Sequence, residues 1–143
     1  MSSIQDIQEE IISEFEILGD DKESTIYYIM ELGGNLPEFP EDSKIEENII
    51  KGCQSKVWLT ASEEDGRVQF QADSNTDITK GLISLLIRVL GNQTPEAILN
   101  SDLNFLQKIG MGNIIGSQRS NGLVSMIQQM KRYALAFQAK QNA

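Results

Sequence analysis

The 143 residues, 40% of them hydrophobic, fit one domain spanning 1–143, and no apolar run approaches the roughly 20 residues that cross a bilayer. The formal charge of −9 argues against nucleic acid as a partner, because neutralising phosphates takes a concentrated basic face. One cysteine and no histidine exclude an internal disulfide and thiolate-rich zinc or iron–sulfur sites, and they remove the Ser-His-Asp and Cys-His arrangements of conventional hydrolases.

Ile4, Ile7, Ile11, Phe15 and Leu18 recur at helical spacing, which predicts an amphipathic first helix ended by Gly19. Asp6, Glu9 and Glu10 give this start none of the basic character of a signal or transit peptide, so the expected location is the cytoplasm, with no membrane partner. Asp20 or Asp21 caps a second helix through Ile26, Ile29, Met30 and Leu32, stopped by Gly33-Gly34; two short antiparallel helices are expected to open the chain. Pro37 and Pro40 remove backbone donors and make 35–44 an extended surface loop.

Three strand segments are predicted next. Asn48-Ile49-Ile50 is brief; 56–61 alternates Val57, Leu59 and Ala61 against Lys56, Trp58 and Thr60; 67–72 places Val68, Phe70 and Ala72 on one face, with Asp65-Gly66 as the hairpin turn. Trp58 is expected to pack on the sheet. Asp73, Ser74 or Asn75 is expected to cap the following helix, whose Ile78, Leu82, Leu85, Leu86 and Val89 face inward before Gly91. Thr94-Pro95-Glu96 unites a cap, a first-turn proline and a carboxylate at the positive end of the dipole, starting a short helix. Another helix runs from about Ser101 to Ile109, broken by Gly110 and Gly112, and the last starts near Ser120 with Leu123, Met126, Ile127, Met130, Ala134 and Phe137 inward.

Cys53 falls in the connection between the first two strand segments, flanked by Lys51 and Lys56. It also lies where the charge changes: residues 1–50 carry 14 acidic and 2 basic side chains, net −12, and residues 51–143 carry 7 and 10, net +3. The acidic half reads as solvated helix surface. An ordinary thiol of pKa ~8.5 is only about 3% ionised at pH 7; either Lys51 and Lys56 lower it and favour the thiolate, or strand alternation points one or the other away.

Five pieces, in order, carry a resemblance. Tyr28-Ile29-Met30-Glu31-Leu32-Gly33, Leu36-Pro37, Gly52-Cys53-Gln54-Ser55-Lys56-Val57-Trp58, Asp73-Ser74 with Lys80-Gly81-Leu82, and Arg119-Ser120-Asn121-Gly122-Leu123 together resemble the SufE family of cysteine desulfuration proteins. The likeness spans nearly the whole chain, and GCQS followed by VW is its specific part. It implies a compact single-domain α+β fold, a small, about three-stranded antiparallel sheet packed with helices, shared with IscU-type scaffolds. Those scaffolds bind clusters through further cysteines and a histidine, which this chain lacks.

The resemblance further implies a sulfur acceptor for a pyridoxal-phosphate cysteine desulfurase of the SufS type, or for a related desulfurase called CsdA. Cys53 matches the position that takes the persulfide sulfur and delivers it to a SufB-containing scaffold for iron–sulfur assembly. Pyridoxal phosphate belongs to the partner, and no cofactor or metal is expected on this chain. Transfer between persulfide and thiol is substitution at sulfur, which needs a thiolate and a nearly linear approach but no metal. Lys51, Gly52, Gln54, Ser55 and Lys56 form the supporting loop. Gly52 either clears space beside the sulfur or serves a positive-φ turn, and Gln54 and Ser55 either bond a persulfide or complete that turn. Arg119 is a candidate contact to the persulfide or the desulfurase. Because stray thiols discharge a persulfide in water, Cys53 is expected to pack toward an apolar recess and turn outward on docking. Two other readings remain: a stand-alone thiol-dependent redox protein, and a non-catalytic regulator that binds a desulfurase.

Overall fold

The computed structural model describes residues 2–143 as a helix-rich α+β domain. Helix α1 (Ile4–Leu18) starts at Ser3, whose side chain accepts the Asp6 N–H, and buries Ile11 and Phe15. Helix α2 (Lys22–Gly34) is capped by Asp21, which accepts from the Glu23 and Ser24 N–H groups. Both opening helices therefore form where the periodicity and caps place them. The main partner of α2 is nevertheless α3 (Asp77–Leu90), not α1. A Cβ added to Gly81 of α3 would stand 2.0 Å from the Ile29 carbonyl oxygen, so these two helix backbones meet where glycine leaves room.

One polar cluster ties α1, α2 and α3 together. Arg88 of α3 donates from Nη2 to Glu10 at 2.8 Å and from Nη1 to Glu14 at 2.9 Å, and Nη2 also reaches the second Glu14 oxygen. The Tyr28 hydroxyl of α2 donates to Glu14 at 2.7 Å. Hydrogen bonding to Arg88 holds the Glu14 carboxyl below its usual range, while burial and the adjacent carboxylate push the Tyr28 hydroxyl up to about 12.

The sheet is a single antiparallel hairpin, β1 (Val57–Glu64) and β2 (Arg67–Ser74), in register from Val57 opposite Ser74 to Glu64 opposite Arg67. Asp65 and Gly66 both take positive φ, 53° and 77°, as the tight turn between right-twisted strands requires. The expected third strand does not form. Ile49 makes one isolated bridge to Trp58, and the Ile50 N–H donates to the Val57 carbonyl at 2.9 Å. A 3-10 turn (Glu46–Asn48) before it and a turn at Lys51-Gly52 after it leave too few extended residues for a ladder. With another 3-10 turn at Glu41–Ser43, the 35–44 segment is also less extended than its prolines suggest.

Helix α3 lies at the centre, against α2, β2, α1 and α7. Leu82, Ile83, Leu85, Leu86, Val89 and Leu90 are all buried, more than one helical face, because it has neighbours on several sides. Its N-cap is Thr76; the expected cap Asp73 belongs instead to β2, because the strand continues two residues past the predicted end. Helix α4 (Pro95–Leu99) is capped by Thr94, as predicted. Gly110, at φ 80°, separates α5 (Phe105–Ile109) from α6 (Met111–Ile115), so the second expected breaker, Gly112, lies inside a helix. Helix α7 (Ser117–Gln141) begins after Gly116, a turn earlier than expected, and runs back across the hairpin. Its Tyr133 hydroxyl donates to the Leu59 carbonyl at 3.2 Å. No described helix is long and apolar enough to cross a membrane.

Candidate functional site

The loop that carries Cys53 has a closed neck, because Ile50 and Val57 are joined across its base by a backbone hydrogen bond. At Gly52 the chain turns with φ +95°, and an added Cβ would stand 2.3 Å from the Ser125 hydroxyl of α7. Glycine is required there both for the turn and for laying the loop on α7. Cys53 is thereby directed at α7, half-buried, its thiol donating a long contact of 3.6 Å to the Gly122 carbonyl. A Cβ on Gly122 would lie 3.4 Å from the sulfur, so the missing side chain on α7 makes the sulfur's seat.

The exit arm is held on its other side by the end of β2 and the first turn of α3. The Ser55 and Thr76 hydroxyls share a hydrogen bond of 2.9 Å, and the buried Thr79 hydroxyl donates to Ser55 at 3.3 Å. The Lys56 N–H donates to the Asn75 side chain at 3.0 Å, and the Lys56 carbonyl accepts from the Ser74 hydroxyl at 2.8 Å. Between this arm and α7 opens a recess of about 360 Å³. Cys53 forms part of its wall; Ile78, Leu82, Ile115 and Met126 give it apolar surface, and Ser117, Gln118 and Arg119 bring the first turn of α7 to it. Gly116 supplies no capping side chain to that turn, which leaves a positive helix end beside the thiol.

Of the residues singled out from sequence, Cys53, Gln54, Ser55 and Arg119 line this recess, while Lys51 and Lys56 do not. Lys51 points to solvent and pairs with Glu46 at 3.6 Å. The Lys56 backbone is tied to the hairpin while its residue is exposed. Of the two alternatives for these cations, the structure has the one in which they lie away from the sulfur, and burial pushes the Cys53 thiol up from its ordinary value. Arg119 is the one charged side chain lining the recess among the described residues; its guanidinium donates to the Ile115 carbonyl at 3.4 Å. Gln54 is exposed.

Asp73 is neither a cap nor a recess residue. Burial alone would raise its carboxyl, but a hydrogen bond from Lys44, another from the Ser74 N–H and the Lys80 charge leave it below its ordinary range. It pairs with Lys44 at 3.1 Å and Lys80 at 3.4 Å, fastening the incoming loop to β2 and α3. Trp58, opposite Asp73 in the register, is half-buried with the Lys44 ammonium 5.7 Å from its ring centroid.

Sequence reasoning gives no role to Thr76, Thr79, Gly122 or Ser125. Gly122 stands in one of the family-like segments, but its use depends on where α7 crosses the loop; the two threonines read as ordinary first-turn residues. No group of three or more Cys, Asp or Glu among the described residues is placed to hold a metal.

The SufE profile, described as an Fe-S metabolism associated domain, matches residues 9–134. The chain belongs to the SufE family. The match takes in every residue of the recess. Among curated SufE relatives, an uncharacterized SufE-like protein of Rhizobium meliloti is 38% identical over 131 residues, covering 88% of this chain and 93% of its own. One of Synechocystis is 36% identical over 110 residues, 77% of this chain and 69% of its own. One of Rhizobium etli is 34% identical, with 88% of both chains covered. In three dimensions the chain is similar to the solution structure of a hypothetical protein from Thermus thermophilus, with TM-score 0.76 and 19% identity, over 93% of this chain and 96% of that one. That likeness concerns the fold. SufE membership places the chain in iron–sulfur metabolism.

Proposed function

We propose that this chain is a sulfur carrier: Cys53 takes persulfide sulfur from a pyridoxal-phosphate cysteine desulfurase of the SufS type, the chain stimulates that enzyme, and it passes the sulfur to a SufB-containing scaffold. The observation that carries the reading is the convergence of the GCQS loop and the Arg119–Leu123 segment on one recess with the sole thiol in its wall.

The Cys53 thiolate attacks the outer sulfur of the donor persulfide; its S–S bond breaks, the donor cysteine leaves as a thiolate, and a new S–S bond forms at Cys53. One disulfide-type bond is exchanged for another, so no oxidant or reductant is consumed. The recess exceeds the size of one added sulfur atom, and its mixed polar and apolar walls give a persulfide partial shelter from solvent thiols. Arg119 and the open first turn of α7 supply positive potential for the anionic form. An inward thiol whose pKa is raised by burial is poorly reactive alone, which suits a carrier that turns outward on its partner and disfavours a stand-alone peroxide-reducing thiol.

The test mixes the chain with a SufS-type desulfurase, cysteine and pyridoxal phosphate, and follows alanine release and intact mass for wild type and Cys53→Ser. One added sulfur on the wild type only, with faster alanine release, is the expected result; no added sulfur with any such desulfurase overturns the carrier reading. Acceleration that survives in Cys53→Ser without sulfur uptake by the wild type would instead mark a non-catalytic regulator.

A further inference from the structure

We propose that Thr79 is a positioning residue for Cys53: together with Thr76 it holds Ser55, and through Ser55 it keeps the sulfur turned inward against Gly122. The purpose of that hold rests on the carrier reading; its existence is argued from hydrogen bonding alone.

The loop is unevenly fastened. Its neck is closed at Ile50 and Val57, and both backbone groups of Lys56 are bonded. Across 51–54, among the described residues, the polar ties are the 3.6 Å thiol contact and the solvent-side pair of Lys51 with Glu46. Ser55 is thus the fixed residue nearest the sulfur on the exit arm, and both hydroxyls that hold it come from the start of α3.

That attachment displaces an ordinary helix contact. Thr76 has the extended backbone of an N-cap, φ −129° and ψ 142°, yet makes no side-chain cap bond, unlike Ser3, Asp21 and Thr94 at their own helices. Its hydroxyl goes to Ser55 instead, so α3 forgoes a cap to hold the loop. Thr79, three residues on and on the same helical face, is 6% exposed, and a hydroxyl so buried needs a partner. When Ser55 swings out, the Thr79 hydroxyl is left with its own helix carbonyls, a weaker arrangement. All the bonds in this hold are neutral, so it yields more readily than an ion pair when a partner draws the loop outward.

The groups facing the thiol make the test interpretable. Helix α3 presents Thr76, Ile78, Thr79 and Leu82, none charged; α6 and α7 present Ile115, Gly122, Met126 and the single cation Arg119. Lys51 and Lys56 flank the loop outside the recess. All three cations are retained in every variant, so a change in the titration reports the hold itself.

The experiment measures alkylation of Cys53 by iodoacetamide against pH, in the full chain without any desulfurase, for wild type, Thr79→Val, Ser55→Ala and Thr79→Ser. Thr79→Val keeps the side-chain shape and removes the hydroxyl. The expected result is alkylation severalfold faster at neutral pH and a midpoint shifted down toward an ordinary thiol in Thr79→Val and Ser55→Ala, with Thr79→Ser like the wild type. Loss of stability alone does not move that midpoint while the chain stays folded, as a circular-dichroism melt verifies. Should Thr79→Val fail to fold, Ser55→Ala and Thr79→Ser decide, since the first changes a partly exposed loop residue and the second keeps the hydroxyl. Wild-type rates and midpoints in Thr79→Val and Ser55→Ala overturn the proposal, and a change in Ser55→Ala alone overturns the role of Thr79. Failure of the wild type to take up sulfur would end the carrier reading and leave these alkylation results standing.

Discussion

Arg88 and Ser55 each stand where separate segments meet, and they hold them by different means. Arg88 joins α1 to α3 through charge-assisted bonds to two carboxylates, one of them also bonded by Tyr28 of α2. Ser55 joins the thiol loop to α3 through neutral hydroxyls only. Charge-assisted bonds are roughly twice as strong as neutral ones. The α1–α3 junction is thus locked by charge and α2–α3 by the Gly81 contact, whereas the thiol loop is held on α3 by neutral bonds alone.

The contrast is broken most severely at Gly81. Gly81→Ala drives a Cβ to 2.0 Å from the backbone oxygen of Ile29, and a helix backbone cannot give way as a side chain does; the expected loss is about 3 kcal/mol in urea unfolding. Gly52→Ala meets the Ser125 side chain, which can rotate, but must hold φ +95°. Its expected cost is smaller, about 1–2 kcal/mol, and sulfur uptake falls with it because the loop no longer seats on α7.

Glu14→Gln tests the charge lock. It is expected to cost about 1 kcal/mol at neutral pH, since Glu10 and the amide oxygen still receive part of the Arg88 fork. The wild-type Glu14 carboxyl lies below its usual 4.5, so its contribution is complete above that value and fades as pH falls through the folded-state pKa. The stability difference between wild type and Glu14→Gln therefore shrinks in acid; a gap that stays constant down the acid limb would contradict the Arg88 assignment. The smallest stability change belongs to Gly122→Ala. Its Cβ reaches ordinary contact with the sulfur at 3.4 Å and alanine favours the helix, so unfolding shifts by less than about 1 kcal/mol. Cys53 keeps its seat at that distance, so iodoacetamide should alkylate it at close to the wild-type rate at neutral pH.

Much of this is legible in the chain itself where a signal is local. The Asp21 and Thr94 caps, the Asp65-Gly66 turn and the apolar stripe of α3 depend on neighbours a few residues away, and each stands where its pattern places it. The third strand fails because Ile49-Ile50 has strand composition but turns on either side, which limit it to one bridge. Asp73 reads as a cap because a carboxylate before a helix usually is one; its actual partners, Lys44 and Lys80, arrive from elsewhere in the fold. The side taken by the lysines beside Cys53 stays open for the same reason, since adjacency in sequence does not set the direction of a loop side chain.

By itself, then, the sequence determined the helices and the hairpin, a single thiol with no histidine or second cysteine to share its chemistry, and membership of the SufE family, because periodicity, turn chemistry and motif residues are properties of the chain read in order. Only the tertiary structure decided that α7 presents Gly122 to the sulfur, that Thr76 and Thr79 at the start of α3 hold the loop, and that the lysines lie outside the recess while burial raises the thiol. Those outcomes depend on which surfaces come within a few ångströms of each other, and packing of the whole core about α3 sets those distances.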